Sequence, residues 1–165
     1  MSFDAEALFP SIPLQKCIKV IETLLRNDLS LRSRTPLTAD DLVDLINLCL
    51  STSDFIYDDR HHTATDSGPI GLSLMVIIAE IWMDHTLKEA VKLAQARNIA
   101  VPRALCVYMD DAHGILRQNS TKTAHIEFAQ CLSDVDPRLK FTFEFGVRGL
   151  RKIPGTDCFL TWFGL

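Results

Sequence analysis

The sequence predicts an α+β fold: a mostly antiparallel sheet with helices packed on one face. Three observations lead there. Apolar residues recur at helical spacing in several long stretches and at strand spacing in others. Two strand-like runs, ALCVYM (104–109) and AHGIL (112–116), are separated only by two aspartates, the pattern of a hairpin. The predicted elements follow the order β-α-α-β-α-β-β-α-β-β, which is not the strict alternation of a parallel α/β sheet.

Each element has a local reason. SFDAE opens the chain as a strand stub that carries Asp4. LQKCIKVIETLLRND places Cys17, Ile18, Ile21, Leu24 and Leu25 on one helix face. The polar loop RSRTPLTADD ends in Thr38 and Asp41, spaced as a capping box for the next helix. That helix, 39–52, is apolar nearly all round (Leu42, Val43, Leu45, Ile46, Leu48, Cys49) and is predicted to be well buried. DFIYDD reads as a short strand and RHHTATDSGPIG as irregular chain. From Leu74 to Arg97 no Gly or Pro interrupts a long helix. STKTAHIEFAQCLSD is amphipathic, with Ser120 or Thr121 as its cap. In RLKFTFEFG, Leu139, Phe141, Phe143 and Phe145 alternate as in a half-exposed strand, and DCFLTWF adds a last strand.

Composition narrows the class. With 165 residues, 47% hydrophobic, the chain can bury a core of its own, and no linker composition marks a second domain. The formal charge of -4 is not that of a basic nucleic-acid binder, although a cluster of metal-binding acids would itself lower it. Five cysteines, odd in number and without a C-x-x-C pair, read as reduced thiols of an intracellular protein, with nucleus or cytoplasm left open. The absence of a signal peptide fits that reading. The apolar stretch Ile70–Met83 is 14 residues long, includes Glu80 and is too short to span a bilayer.

The chemistry centres on CVYMDDAHGIL. Asp110 and Asp111 repel each other, and apolar neighbours make lone burial of either costly, so a positive partner is expected. Asp4 is the best third carboxylate. Three carboxylates drawn from two strands suit a pair of hard divalent cations that activate an attacking hydroxyl and stabilise a leaving pyrophosphate. Taken alone, an Asp-Asp pair at a hairpin tip is most often a solvated turn. Other residues read blandly. His61 and His62 lack further ligands at zinc spacing, and His113 alternates outward on its strand. Arg26, Arg32 and Arg34 form a small basic patch more in keeping with a solvated surface than a phosphate site. Trp82 and Trp162 are assigned to the core.

The motifs, in order, carry a resemblance. SFDAEALFPSIPL resembles motif A of reverse transcriptases of the Penelope-like retroelement type, through Asp4, Phe9, Ile12 and Pro13. SGPIGLSLMVIIAEIWM resembles motif B, with Gly71 at the glycine and Ala79 and Met83 in register. VYMDD resembles motif C, and DPRLKFTFE the segment that follows it. CFLTW is similar to the closing Phe-Leu-Asp, with Thr161 in place of the acid. Ile70 stands where the family usually has Gln or Met.

The resemblance implies a polymerase palm-like fold spanning 1–165 and an RNA-directed DNA polymerase chemistry. Asp4, Asp110 and Asp111 would hold two Mg²⁺ ions, with Mn²⁺ as a substitute, and Lys140 would protonate or neutralise pyrophosphate. Phe9 would exclude a ribose 2′-hydroxyl, while Ile70, Gly71 and Tyr108 would lie against nucleotide and template. The implied partners are an RNA or DNA template with its primer and deoxynucleoside triphosphates, with no membrane. Fingers and thumb would lie outside these residues, so the chain by itself is expected to show little or no polymerase activity. Two alternatives remain: a catalytically dead, retroelement-derived relic or scaffold, and another palm-type nucleotidyl enzyme such as a nucleotide cyclase. The aromatic at Phe9 argues against the second.

Overall fold

The computed structural model describes residues 2–52, 54–63, 71–115, 122–144 and 159–161. In chain order the elements are β1 (Ser2–Glu6), α1 (Leu8–Ser11), α2 (Leu14–Asn27), α3 (Leu31–Arg34) and α4 (Ala39–Ser51). They continue with β2 (Asp54–Tyr57), β3 (Arg60–Thr63), α5 (Ser73–Ala96), β4 (Ala104–Tyr108), β5 (Asp111–Ile115), α6 (Lys122–Val135), β6 (Lys140–Glu144) and β7 (Phe159–Thr161). The chain divides into two compact units, Met1–Leu8 with Met83–Leu165, and Phe9–Trp82.

The first unit is built on strand alternation. Five strands form one sheet in the order β6-β1-β5-β4-β7, and every neighbouring pair is antiparallel. Phe3 and Ala5 of β1, Leu105 of β4 and Ala112 of β5 are buried, whereas Asp4, Glu6, Tyr108 and Asp111 between them are exposed. The buried face meets two helices. Leu87, Ala90, Val91 and Ala94 come from α5, and Phe128, Ala129, Cys131 and Leu132 from α6. Phe3 and Phe128 set their rings 6.0 Å apart at 57°, a tilted contact that fixes β1 against α6. Arg97 at the end of α5 pairs with Asp134 of α6 at 2.5 Å. Asp136 opens the turn into β6: its carboxylate accepts from Arg138 N–H and its carbonyl from Leu139 N–H. The strand that follows is half-exposed as its alternation predicts, with Leu139 and Phe141 inward and Lys140 and Thr142 outward; Phe145 lies outside the described residues.

The second unit is mainly helical. Cys17, Ile18 and Ile21 are buried along the predicted face of α2, but Leu24, on the same face, is half exposed. The Cys17 thiol donates to the Ile78 carbonyl at 3.6 Å, and burial pushes its pKa up to about 12. The predicted capping box is present: Thr38 Oγ1 accepts from Asp41 N–H at 3.2 Å, and the Asp41 carboxylate accepts from Thr38 N–H at 2.8 Å.

Two expectations are corrected here. Helix α4 is not well buried: only Leu50 is, and Leu45 and Leu48 are 46% and 59% exposed. It packs chiefly against α2 among the described residues, and a helix so placed covers one side of a cylinder whatever the residues on the others. The segment after DFIYDD is not irregular from its start. β3 pairs with β2 as a separate two-stranded sheet, turning at Asp58 and Asp59 with positive φ of 52° and 55°. Two left-handed residues match the twist of a tight hairpin, and Asp is among the residues that tolerate them. The four-residue helices α1 and α3 also add to the predicted order. The predicted caps Ser120 and Thr121 lie outside the described residues, as does Trp162, while Trp82 is buried as predicted.

Candidate carboxylate site

Two strands and one turn position the acidic groups. In the β1–β5 register Asp4 is the Cα partner of Asp111, and Ala5 N–H donates to the Asp110 carbonyl at 3.0 Å. A bond running from the residue after Asp4 to the residue before Asp111 makes these two a non-hydrogen-bonded pair. That is the closer kind of antiparallel pair, with Cα atoms about 4.5 Å apart and side chains on one face. The pairing continues on both sides, since Asp4 faces Thr142 on β6 and Asp111 faces Tyr108 on β4. Thr142, Asp4, Asp111 and Tyr108 therefore form one row across four strands, all exposed, on the face opposite the helices.

Asp110 reaches the site from the hairpin turn between β4 and β5. Its neighbour Met109 has φ of 53°, a left-handed conformation unusual for a residue other than glycine. As at Asp58 and Asp59, a left-handed residue suits the two-residue turn of a tight hairpin. Asp4 carries the electrostatic consequence. Its carboxyl is raised above the ordinary value first by loss of hydration at the sheet surface, then by the negative charges of Asp110, Asp111 and Glu6.

Glu6 was not singled out in the sequence, although its position two residues after Asp4 on a strand was enough to place it on the same face. Across the next row it is the Cα partner of Lys140. His113 and Cys106, partners of each other on β5 and β4, share this face one row further along. The donor set of Asp4, Asp110 and Asp111 is all carboxylate oxygen, which suits a hard cation such as Mg²⁺ in kind. Among the described residues, however, no group of three or more His, Cys, Asp or Glu side chains is arranged to hold a metal ion.

The other predicted site residues fall elsewhere. Phe9 is half-buried in α1, its carbonyl accepting from Ile12 N–H at 3.4 Å. Gly71 has φ of +101°, and a Cβ added there would meet nothing within 4 Å among the described residues. Both belong to the second unit. Ile70 lies outside the described residues. Two arginines of the basic patch are in ion pairs, Arg26 with Glu22 at 2.8 Å and Asp40 at 2.5 Å, and Arg34 with Asp28. His61 and His62 are exposed on β3, and the His62 ring stands edge-on to Tyr57 with centroids 6.3 Å apart.

Fold and site together define an α+β protein with an acidic row on the exposed face of an antiparallel sheet. No family model, no curated protein and no solved structure matches the chain. Among the described residues no helix is long and apolar enough to cross a membrane.

Proposed function

We propose that the chain is the palm portion of an RNA-directed DNA polymerase, of the type found in Penelope-like retroelements. The observation that carries the reading is the Asp4–Asp111 pairing, with Asp110 hydrogen-bonded through its carbonyl to the residue after Asp4. Residues 106 positions apart in sequence thus supply the three carboxylates that the motifs single out. In this reading Asp4, Asp110 and Asp111 hold Mg²⁺, which when bound supplies charge stabilisation at the attacking and leaving oxygens.

The chain's own residues do the rest of the work in this reading. Lys140, exposed on the same face, neutralises or protonates the departing pyrophosphate. Phe9 excludes a ribose 2′-hydroxyl by its bulk. Tyr108, in the row beside Asp111, lies against the nucleotide or template. Gly71, where no described residue comes within 4 Å of an added Cβ, lets a nucleic-acid backbone approach in this reading. Template with primer and deoxynucleoside triphosphates are the partners proposed.

A second reading is a palm-derived relic without catalysis. Calorimetric titration with Mg²⁺ and Mn²⁺ separates the two. Two binding events that disappear in Asp110→Asn support the polymerase reading, and no binding by the native chain supports the relic. Primer extension by the purified chain is expected to be weak or absent in either case, because phosphate contacts supplied by basic residues carry much of nucleic-acid affinity.

A further inference from the structure

The β2–β3 ribbon has no part in the carboxylate site, and among the described residues it pairs with no further strand. A two-stranded hairpin by itself is marginal in water unless something packs on it. Here Ile56 and Tyr57, adjacent and so on opposite faces, are 67% and 72% exposed, which leaves both faces uncovered near the tip. The register sorts the remaining residues by chemistry. Tyr57 is opposite Arg60, and Ile56 is opposite His61. Alternation puts His62 on the face of Tyr57 and Arg60, and the ring contact between Tyr57 and His62 agrees with that placement. Asp54 falls on the other face with Ile56, while Asp58 and Asp59 make the turn. One face of the ribbon therefore joins an exposed aromatic ring to an exposed guanidinium, and its strands bring no carboxylate there. Among the described residues Arg26, Arg34 and Arg97 each hold a carboxylate, and Arg60 does not.

We infer that Tyr57 and Arg60 form a contact for single-stranded nucleic acid, in which the phenol ring stacks on an unpaired base and the guanidinium takes the adjoining phosphate. Rings that stack and cations that follow the backbone are the two elements that hold single strands without reading their sequence. A duplex keeps its bases stacked on one another and offers the ring nothing, so the contact favours single strands. It does not depend on the carboxylate row; only the identification of the strand as a polymerase template rests on the polymerase reading. A chain of net charge -4 binds through it weakly, and low salt brings the contact into range.

The test measures binding of a labelled oligothymidylate of about 12 nucleotides to the whole chain by fluorescence anisotropy, at low ionic strength and in EDTA. The variants are Tyr57→Val, which keeps a strand-forming side chain without the ring, Tyr57→Phe and Arg60→Met. Tyr57→Val is expected to bind about tenfold more weakly than the native chain, and Tyr57→Phe as well as the native chain. Arg60→Met should lower the salt dependence of log K by about 0.7, the share of one phosphate on a single strand. The same strand annealed into a duplex should bind less tightly. The inference fails if the native chain does not bind the oligonucleotide, or if Tyr57→Val, melting as the native chain does, binds it equally well. It fails too if Tyr57→Val alters the sedimentation of the chain alone and not its binding, because the face then belongs to a second copy. Should Tyr57→Val not fold, the salt slope of Arg60→Met decides. EDTA removes divalent cations, so none of these outcomes bears on the carboxylates. Binding that is lost with the ring, in a chain that titrates no Mg²⁺, leaves the contact standing and the polymerase reading fallen.

Discussion

Asp4 and Asp111 stand directly opposite each other on adjacent antiparallel strands, as the closer, non-hydrogen-bonded kind of pair. Like charges so placed destabilise a sheet, and the protein places a third carboxylate, Asp110, at the neighbouring turn. A 3.0 Å backbone bond from Ala5 N–H to the Asp110 carbonyl holds the register in which this repulsion arises.

Removing one charge should relieve the repulsion. Asp4→Asn is expected to be more stable than the native chain at pH 7, by on the order of 0.5 kcal/mol in low salt. The sign follows from linkage: the raised Asp4 carboxyl binds its proton more tightly in the folded state, so its penalty is present when it is ionised. The advantage of Asp4→Asn should shrink as pH falls through the raised value and vanish below about 3.8, the ordinary carboxylate value. Urea unfolding between pH 7 and pH 3 measures it. An advantage that grows toward acid would contradict the assignment.

The tilted contact between Phe3 and Phe128 links the core to the site, because Phe3 immediately precedes Asp4. Phe128→Ala leaves a cavity under β1 and is expected to cost about 3–5 kcal/mol. The milder Phe128→Leu should keep the fold while loosening β1. It is expected to weaken Mn²⁺ binding if the row holds metal, and to speed amide exchange at Ala5 in any case. Unchanged protection of that amide would show that the aromatic pair does not hold the strand.

Gly71 separates two explanations of one residue. Its φ of +101° is a conformation that side chains rarely adopt, while no described residue comes within 4 Å of a Cβ added there. Gly71→Ala should therefore cost about 1–2 kcal/mol through the backbone. Thermal denaturation without any ligand measures this cost, and a variant as stable as the native chain would leave only a role in binding.

Two cysteines of the second unit should differ sharply toward alkylation. Cys49 is exposed on α4, whereas Cys17 is fully buried and its thiol is pushed up to about 12. At pH 8 iodoacetamide is expected to label Cys49 within minutes and Cys17 only after denaturant is added. Equal rates in the folded chain would mean that α2 does not pack as described.

The sequence alone determined what short windows can encode. The long helix α5 follows from an unbroken apolar stripe that the structure buries at Met75, Ile78, Ala79, Trp82, Met83, Leu87, Ala90, Val91 and Ala94. The hairpin at Asp110 follows from two β-rich runs around a turn, and the start of α4 from Thr38 and Asp41. Tertiary structure decided the remainder. Whether α4 is covered depends on how many neighbours reach it, and its own apolar residues cannot report that. The strand RHHT carries little β signal of its own and is drawn into pairing by β2 across a left-handed turn. Above all, the row Thr142–Asp4–Asp111–Tyr108 and the opposition of Glu6 and Lys140 come from register between strands distant in the chain. A one-residue slip in that register would send every one of these side chains to the other face, and no local pattern records which register the packed core selects.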